Sequence, residues 1–491
     1  MPVLFRHLPK EELGVWLLLG QTWAAMGILD LGFGVTLTRR IALAKGKSGG
    51  DPNAALTDET RREIADLVEC GRRIYRLMAA GVFVVSWALG FFYLRGLELH
   101  GLSHTTVWTA WTILCACQAL NVWATVWTCL LQGVGYIGWD ALIASFISAG
   151  MLIAQIIAVL CGGGIVTLAA VAAIAVIFQR GVTRSFARRR RPELFALRGT
   201  WNRAVLQGMP GLALRAWLTA MGTVLVFNTD QFFIASTKGA ENIPAFRAAY
   251  VLIHNFTVLA VSLGLASSVF ISHLWQSGNL REVHRIVERN CRLGLLIMLF
   301  SAAVLAVAGH ALFNVWLGPG NFVGFAVIGV FLVYETLETQ SYIISSSSRA
   351  TEDEAFAVSS VAGGLLKIVL GLLFVRWWGL FGLACATLIA LLFTNHWYVV
   401  FRGLHRLQLP LGGYLRTVLL PVLLWFGGAC ALAYLVTVAL GPVPDWTYLL
   451  LVTGAVGVLF VVALWTSVLS PYEKSRVRGK LFRLTVAPSM R

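Results

Sequence analysis

The chain has 491 residues, 58% hydrophobic and 13% charged, with a mean hydropathy of +0.76. A soluble domain carries about 25% charged residues, so this composition excludes an ordinary water-soluble fold. The net charge of +16 would suggest nucleic acid in a soluble protein; in a membrane chain it points instead to Lys and Arg in cytoplasmic loops beside anionic lipid, with no nucleic-acid partner.

In hydrocarbon every backbone polar group must be paired within its own element, which leaves helices or a closed barrel. Barrel strands alternate apolar and polar residues. Here the runs are continuous, as in 365–375, interrupted only by Lys367 and Gly371. The expected fold is therefore an all-α polytopic membrane protein. Taking about 20 residues per crossing, the sequence predicts thirteen transmembrane helices: 13–37, 74–94, 107–131, 139–161, 163–180, 211–235, 245–272, 293–315, 322–344, 355–375, 379–401, 415–440 and 446–469. Two further segments, 57–73 and 279–292, are amphipathic. The first opens on a capping signal at Thr57, and both read as cytoplasmic surface helices.

With the loop after the first span placed inside, 31 Lys and Arg fall on inside segments and 6 outside, while Arg215 and Lys367 lie within spans. This bias predicts an outside N-terminus and a cytoplasmic C-terminus. The run 188–191 reads as part of that topology signal.

An internal repeat is also visible. Leu31-Gly32-Phe33-Gly34 ends the first span and Leu263-Gly264 ends the seventh, each followed by a basic linker and an amphipathic segment. Gly164-Ile165-Val166 opens the fifth span and Gly379-Leu380-Phe381 the eleventh. Spans one to five thus pair with seven to eleven, leaving the sixth without a counterpart.

Charged groups inside spans are costly and are functional candidates. Arg215, near the inner end of the sixth span, and Arg39 and Arg40 at the cytoplasmic mouth are candidate anion contacts, because a guanidinium holds phosphate through paired hydrogen bonds. Lys367, near the middle of its span, reads either as a further anion contact or as the partner of Glu335 in a neutralising pair. Glu335, Glu338, Asp230 and Asp30 are candidate ion-coupling acids. The polar runs Gln118/Asn121 and His254/Asn255 line a cavity or join helices. The eight cysteines are scattered without a zinc-type pair, so no metal or cofactor is expected. With no Walker motif and only short outside loops, the chain does not read as an enzyme.

Several segments resemble the multidrug/oligosaccharidyl-lipid/polysaccharide exporter superfamily, especially its polysaccharide transporter and O-antigen flippase branch. They are Glu12-Leu13-Gly14-Val15-Trp16, Leu29-Asp30-Leu31-Gly32-Phe33-Gly34, Asp230-Gln231-Phe232-Phe233-Ile234, Tyr250, Asn279-Leu280, Trp316-Leu317-Gly318 and the segment from Gly379, in the order expected across about residues 10–405. The resemblance implies two six-helix bundles around a central cavity, followed by two C-terminal helices. The first helix here matches the family's second, so the family's first helix is expected to be missing. On this basis 1–182 forms an N-terminal bundle of five helices, 183–210 a basic cytoplasmic linker, 211–403 a six-helix bundle, and 404–491 two extra helices with a basic tail.

The function implied is a flippase that moves a polyprenyl-pyrophosphate-linked oligosaccharide across the inner membrane for surface polysaccharide biosynthesis, such as lipopolysaccharide or exopolysaccharide. Its expected partners are membrane lipids, the lipid-linked oligosaccharide and other polysaccharide assembly proteins. The alternatives are a drug/cation antiporter of the same superfamily, for which Arg215 and Lys367 are poorly suited, and a membrane polysaccharide polymerase or ligase, which would need a large outside loop.

Overall fold

The computed structural model describes all residues except 1, 27–29, 31, 49–52, 54, 98, 100, 198, 202–208, 277, 352–354, 442, 470–473 and 476–491. The elements are all helical: α1 (Pro2–His7), α2 (Lys10–Ala25), α3 (Phe33–Gly46), α4 (Asp58–Arg95), α5 (His104–Gly133), α6 (Ile137–Leu160), α7 (Ile165–Arg190), α8 (Pro192–Ala196), α9 (Met209–Phe227), α10 (Asp230–Lys238), α11 (Ile243–Gln276), α12 (Leu280–Leu317), α13 (Phe325–Arg349), α14 (Ala357–Leu391), α15 (Trp397–Arg406), α16 (Leu411–Leu440) and α17 (Asp445–Ser467). Among the described residues there is no strand, and nine helices are long and apolar enough to cross a membrane. The chain is a multi-pass α-helical membrane protein.

The difference between thirteen expected spans and nine such helices has local causes. The first span is described as α2, ending at Ala25, and α3, starting at Phe33 after Gly32 in the left-handed region at φ 69, which a side chain would strain; 27–29 and 31 between them lie outside the described residues. The sixth is broken at Asn228 and Thr229, between α9 and α10. The ninth, α13, carries a buried polar face with Glu335, Thr339, Gln340 and Ser345–Ser348 and so falls short in apolarity. The tenth and eleventh form one run, kinked where Gly379 takes φ 61 rather than divided by a loop at Trp377-Trp378.

The two amphipathic segments are not separate surface helices. Thr57 caps α4, its hydroxyl accepting the Thr60 N–H at 3.3 Å, and the helix runs unbroken for 38 residues. Asn279 caps the equally long α12 through the Glu282 N–H at 3.4 Å. Gly71 and Gly294 lie at the junctions between the amphipathic and apolar turns, yet the helix continues through both, and the apolar faces are core rather than lipid-facing. Ile64 and Leu67 pack with Leu37 and Ile41 of α3. Val283, Val287, Cys291 and Leu295, spaced by four on α12, pack with Leu404 and Leu407 at the end of α15.

Two compact units make up the chain. One comprises Met1–Pro244 with Ser360–Arg376, the other Ala245–Ser359 with Trp377–Arg491. In the first, α5 lies at the centre against α3, α4 and α7. In the second, α12 is central, packed by α13, α16 and α17.

Candidate functional site

In the first unit the sequence brings a cation and an acid together through glycine. A Cβ on Gly222 of α9 would lie 2.5 Å from the Ser360 carbonyl carbon, and one on Gly364 would lie 2.7 Å from the Leu225 Cβ. Only residues without a side chain allow α9 and this stretch of α14 to approach so closely. Lys367 lies one turn beyond Gly364. Its ammonium is wholly buried and paired with the Asp230 carboxylate, with the Phe233 ring 5.5 Å away. Asp230 is the first residue of α10, where the positive helix end also favours an acid. Next to it, Gln231 donates to Gln21 of α2 at 3.2 Å.

This arrangement corrects the neutralising pair expected between Lys367 and Glu335: the partner of Lys367 is Asp230. Removing two charges from water costs several kcal/mol per ion, offset only by close mutual pairing. Lys367 is thus a buried charge compensated by Asp230.

Glu335 belongs to a second cluster, in the other unit. Its side chain is 0% exposed. Thr257 donates a hydroxyl hydrogen bond to Oε2 at 2.6 Å. His254 Nδ1 lies 3.2 and 3.3 Å from the two carboxylate oxygens, so an Nδ1–H donates to them. The His254 ring stacks on Tyr250, with centroids 5.2 Å apart, and the Arg247 guanidinium lies 5.1 Å from the Tyr250 ring. Residues 247, 250, 254 and 257 follow the three-and-four spacing of one face of α11. The His254 side chain is 42% exposed, so it stands between the accessible surface and the buried acid. Glu338, one turn further along α13, is half-buried. Beyond it Gln340 donates to Tyr414 at 2.9 Å, and the Ser341 hydroxyl lies 2.7 Å from His396 Nδ1. The polar run at His254 hinted at this cluster; Thr257 carried no signal in the sequence.

The other candidates, Asp30, Arg39, Arg40 and Arg215, belong to the first unit. Asp30 Oδ2 accepts the Gly34 N–H at 3.0 Å and so caps the restart of α3. Its Oδ1 is buried with no hydrogen-bond partner among the described residues. Arg40 is half-buried on α3. Arg39 and Arg215 lie in α3 and α9, but their side chains fall outside the described residues.

The fifth expected span, 163–180, ends at Arg180. Instead α7 continues through Arg190, and Arg180 donates from Nε at 2.8 Å and Nη2 at 2.6 Å to Asn121 Oδ1, and from Nη1 to the Thr128 hydroxyl. Two residues that carried the family resemblance have structural work. Glu12 accepts the Ile165 N–H at 3.0 Å at the start of α7. Gly14 lets α2 meet the backbone of Ala240, whose carbonyl oxygen would lie 1.8 Å from a Cβ there.

No family model and no curated protein matches the sequence. Among solved structures the chain is similar to the lipid II flippase MurJ in its inward closed conformation, with a TM-score of 0.69 and 13% identity over 94% of each chain. It is also similar to a multidrug resistance MATE family transporter of the MOP superfamily in its inward-facing conformation, with a TM-score of 0.61 and 14% identity over 83% of this chain and 94% of that one. A MATE structure in a bent conformation follows, with a TM-score of 0.53 and 15% identity over 82% and 89%. At such identities the likeness is one of fold, and the chain has the fold of the multidrug/oligosaccharidyl-lipid/polysaccharide exporter superfamily.

Proposed function

We propose that the chain is a transporter that moves a polyprenyl-pyrophosphate-linked oligosaccharide across the bacterial inner membrane for surface polysaccharide assembly, its helical halves rocking between inward and outward states. The observation that carries this reading is the likeness to a lipid flippase over 94% of both chains, a larger share of this chain than the MATE likenesses reach. Arg215, Arg39 and Arg40 hold the pyrophosphate in this reading, and Lys367 contributes through its pair with Asp230. In this reading the basic run 183–210 faces the cytoplasm, and 404–491 add two helices and a tail.

A second reading, a drug/cation antiporter, is favoured by the cluster at Glu335. A buried carboxylate held by Thr257 and an accessible His254 suits exchange of a proton or small cation. In either reading Glu335, Glu338, Asp30 and Asp230 are the coupling acids.

Reconstitution separates the two. Proteoliposomes of the purified chain are expected to move a fluorescent polyprenyl-pyrophosphate oligosaccharide between leaflets and to leave a cationic dye gradient-insensitive. Proton- or sodium-driven dye transport without lipid movement would replace the flippase reading with the antiporter.

A further inference from the structure

The basic run that ends α7 is not uniform in its surroundings. Arg191 is buried and pairs with Glu193 at 3.0 Å. Its neighbour Arg190 is exposed and has neither a hydrogen bond nor an acid partner among the described residues. The Arg190 guanidinium instead lies 5.3 Å from the Phe186 ring and 5.8 Å from the Trp139 ring. Both distances are within reach of cation–π attraction. Elsewhere in the unit, exposed Arg72 and Arg73 bond to Glu69 at 3.1 and 2.9 Å.

This aromatic seat follows from the chain. Gly135 takes φ 103 in the turn between α5 and α6, and Trp139 comes in the first turn of α6. The end of α7 returns beside the start of α6, so Phe186 meets Trp139 with ring centroids 5.3 Å apart. Arg190 is one turn beyond Phe186 on α7. The rings attract the charge and use none of the N–H groups as hydrogen-bond donors to oxygen, so the guanidinium fork remains open to a ligand.

From Trp139 an exposed apolar stripe runs along α6 through Leu142, Phe146, Ile153 and Ile157, at steps of three, four, seven and four residues. Among the nine helices able to cross a membrane, α6 is the least buried. Its stripe therefore meets the lipid around the protein rather than a path through it. Trp139 stands where the stripe meets the basic end of α7, the position that Trp favours at the boundary of hydrocarbon and water.

We propose that Arg190, seated on Trp139 and Phe186, binds the phosphate of an anionic glycerophospholipid whose acyl chain lies along the α6 stripe. A guanidinium suits phosphate because two parallel N–H groups reach two oxygens. A zwitterionic lipid brings its own ammonium next to the phosphate and gains less from Arg190. The site faces the bilayer and does not depend on what the chain transports.

The test uses the full chain in detergent micelles, with native mass spectrometry reading the lipid adducts. Phosphatidylglycerol should bind more tightly than phosphatidylcholine and raise the thermal midpoint, since a ligand held only by the folded state stabilises it. Arg190→Gln should keep the lipid-free midpoint, bind phosphatidylglycerol about fivefold more weakly and lose the thermal shift. Arg72→Gln removes another exposed cation, one already paired with Glu69, and should change neither readout. In nanodiscs, phosphatidylglycerol with a photoactivatable diazirine in its acyl chain should crosslink to the α6 segment 139–157, and less so in Arg190→Gln. Equal losses in Arg190→Gln and Arg72→Gln would reduce the effect to net charge and overturn the proposal. So would wild-type binding that does not favour phosphatidylglycerol, or crosslinks that avoid α6. Displacement of phosphatidylglycerol by an equimolar polyprenyl pyrophosphate would make this face a cargo entrance and overturn it as well.

Discussion

Lys367 and Asp230 form a buried ion pair although 137 residues separate them. Removing one partner leaves the other charge buried and uncompensated, at a cost of about 3–5 kcal/mol, whereas replacing both by apolar residues is near neutral. Lys367→Met and Asp230→Leu are each expected to lower the thermal midpoint in detergent sharply, and the double variant to recover most of the loss. Additive losses in the double variant would show that the pair does not act as a unit.

The pair depends on a close helix crossing. Gly222→Leu would place a side chain into the backbone of Ser360, and overpacking of this kind costs about 1–3 kcal/mol or more. Its thermal midpoint should fall, whereas Gly211→Leu, in the same helix with open space around its Cβ position, should change it little.

Glu335→Gln preserves size and still accepts from Thr257, but cannot exchange a proton. Expression and thermal midpoint are expected within a few degrees of the wild type, while transport in proteoliposomes is lost. Thr257→Ala removes one charge-assisted hydrogen bond worth about 1.5–3 kcal/mol and should reduce transport in part. Full transport by Glu335→Gln would exclude this carboxylate from coupling.

Cys161, at the end of α6, is exposed; Cys70, Cys115, Cys117, Cys129 and Cys291 are buried, and Cys385 and Cys430 are half-buried. The Lys/Arg bias predicts an outer position for Cys161. A membrane-impermeant maleimide applied to spheroplasts is therefore expected to label the chain, and Cys161→Ser to abolish labelling. Labelling only after permeabilisation would reverse the orientation.

Much of the architecture was legible because hydropathy is additive along the chain. Helical class and the positions of α5, α6, α16 and α17 follow from run length and composition alone. The cap at Thr57 was legible as local chemistry for a helix start, but not the role of the helix it begins. An amphipathic stripe reads the same whether it faces lipid or protein, so burial of Val283 and Val287 against Leu404 and Leu407 was invisible. The end of α7 was set too early, at Arg180, because basic residues usually end a span, whereas here Asn121 and Thr128 of α5 satisfy the guanidinium within the unit.

The sequence by itself determined that the chain crosses a membrane as helices, and which residues carry charge into those helices. Only the tertiary structure decided which charges meet. Lys367 could have met Glu335 or Asp230, since both acids lie within spans and a periodic pattern places each on its own helix without saying which helices touch. The approach was settled by Gly222 and Gly364, whose missing side chains bring α9 against α14, and by the break at Asn228-Thr229 that puts Asp230 at the start of α10. Glu335 was thereby left to His254 and Thr257.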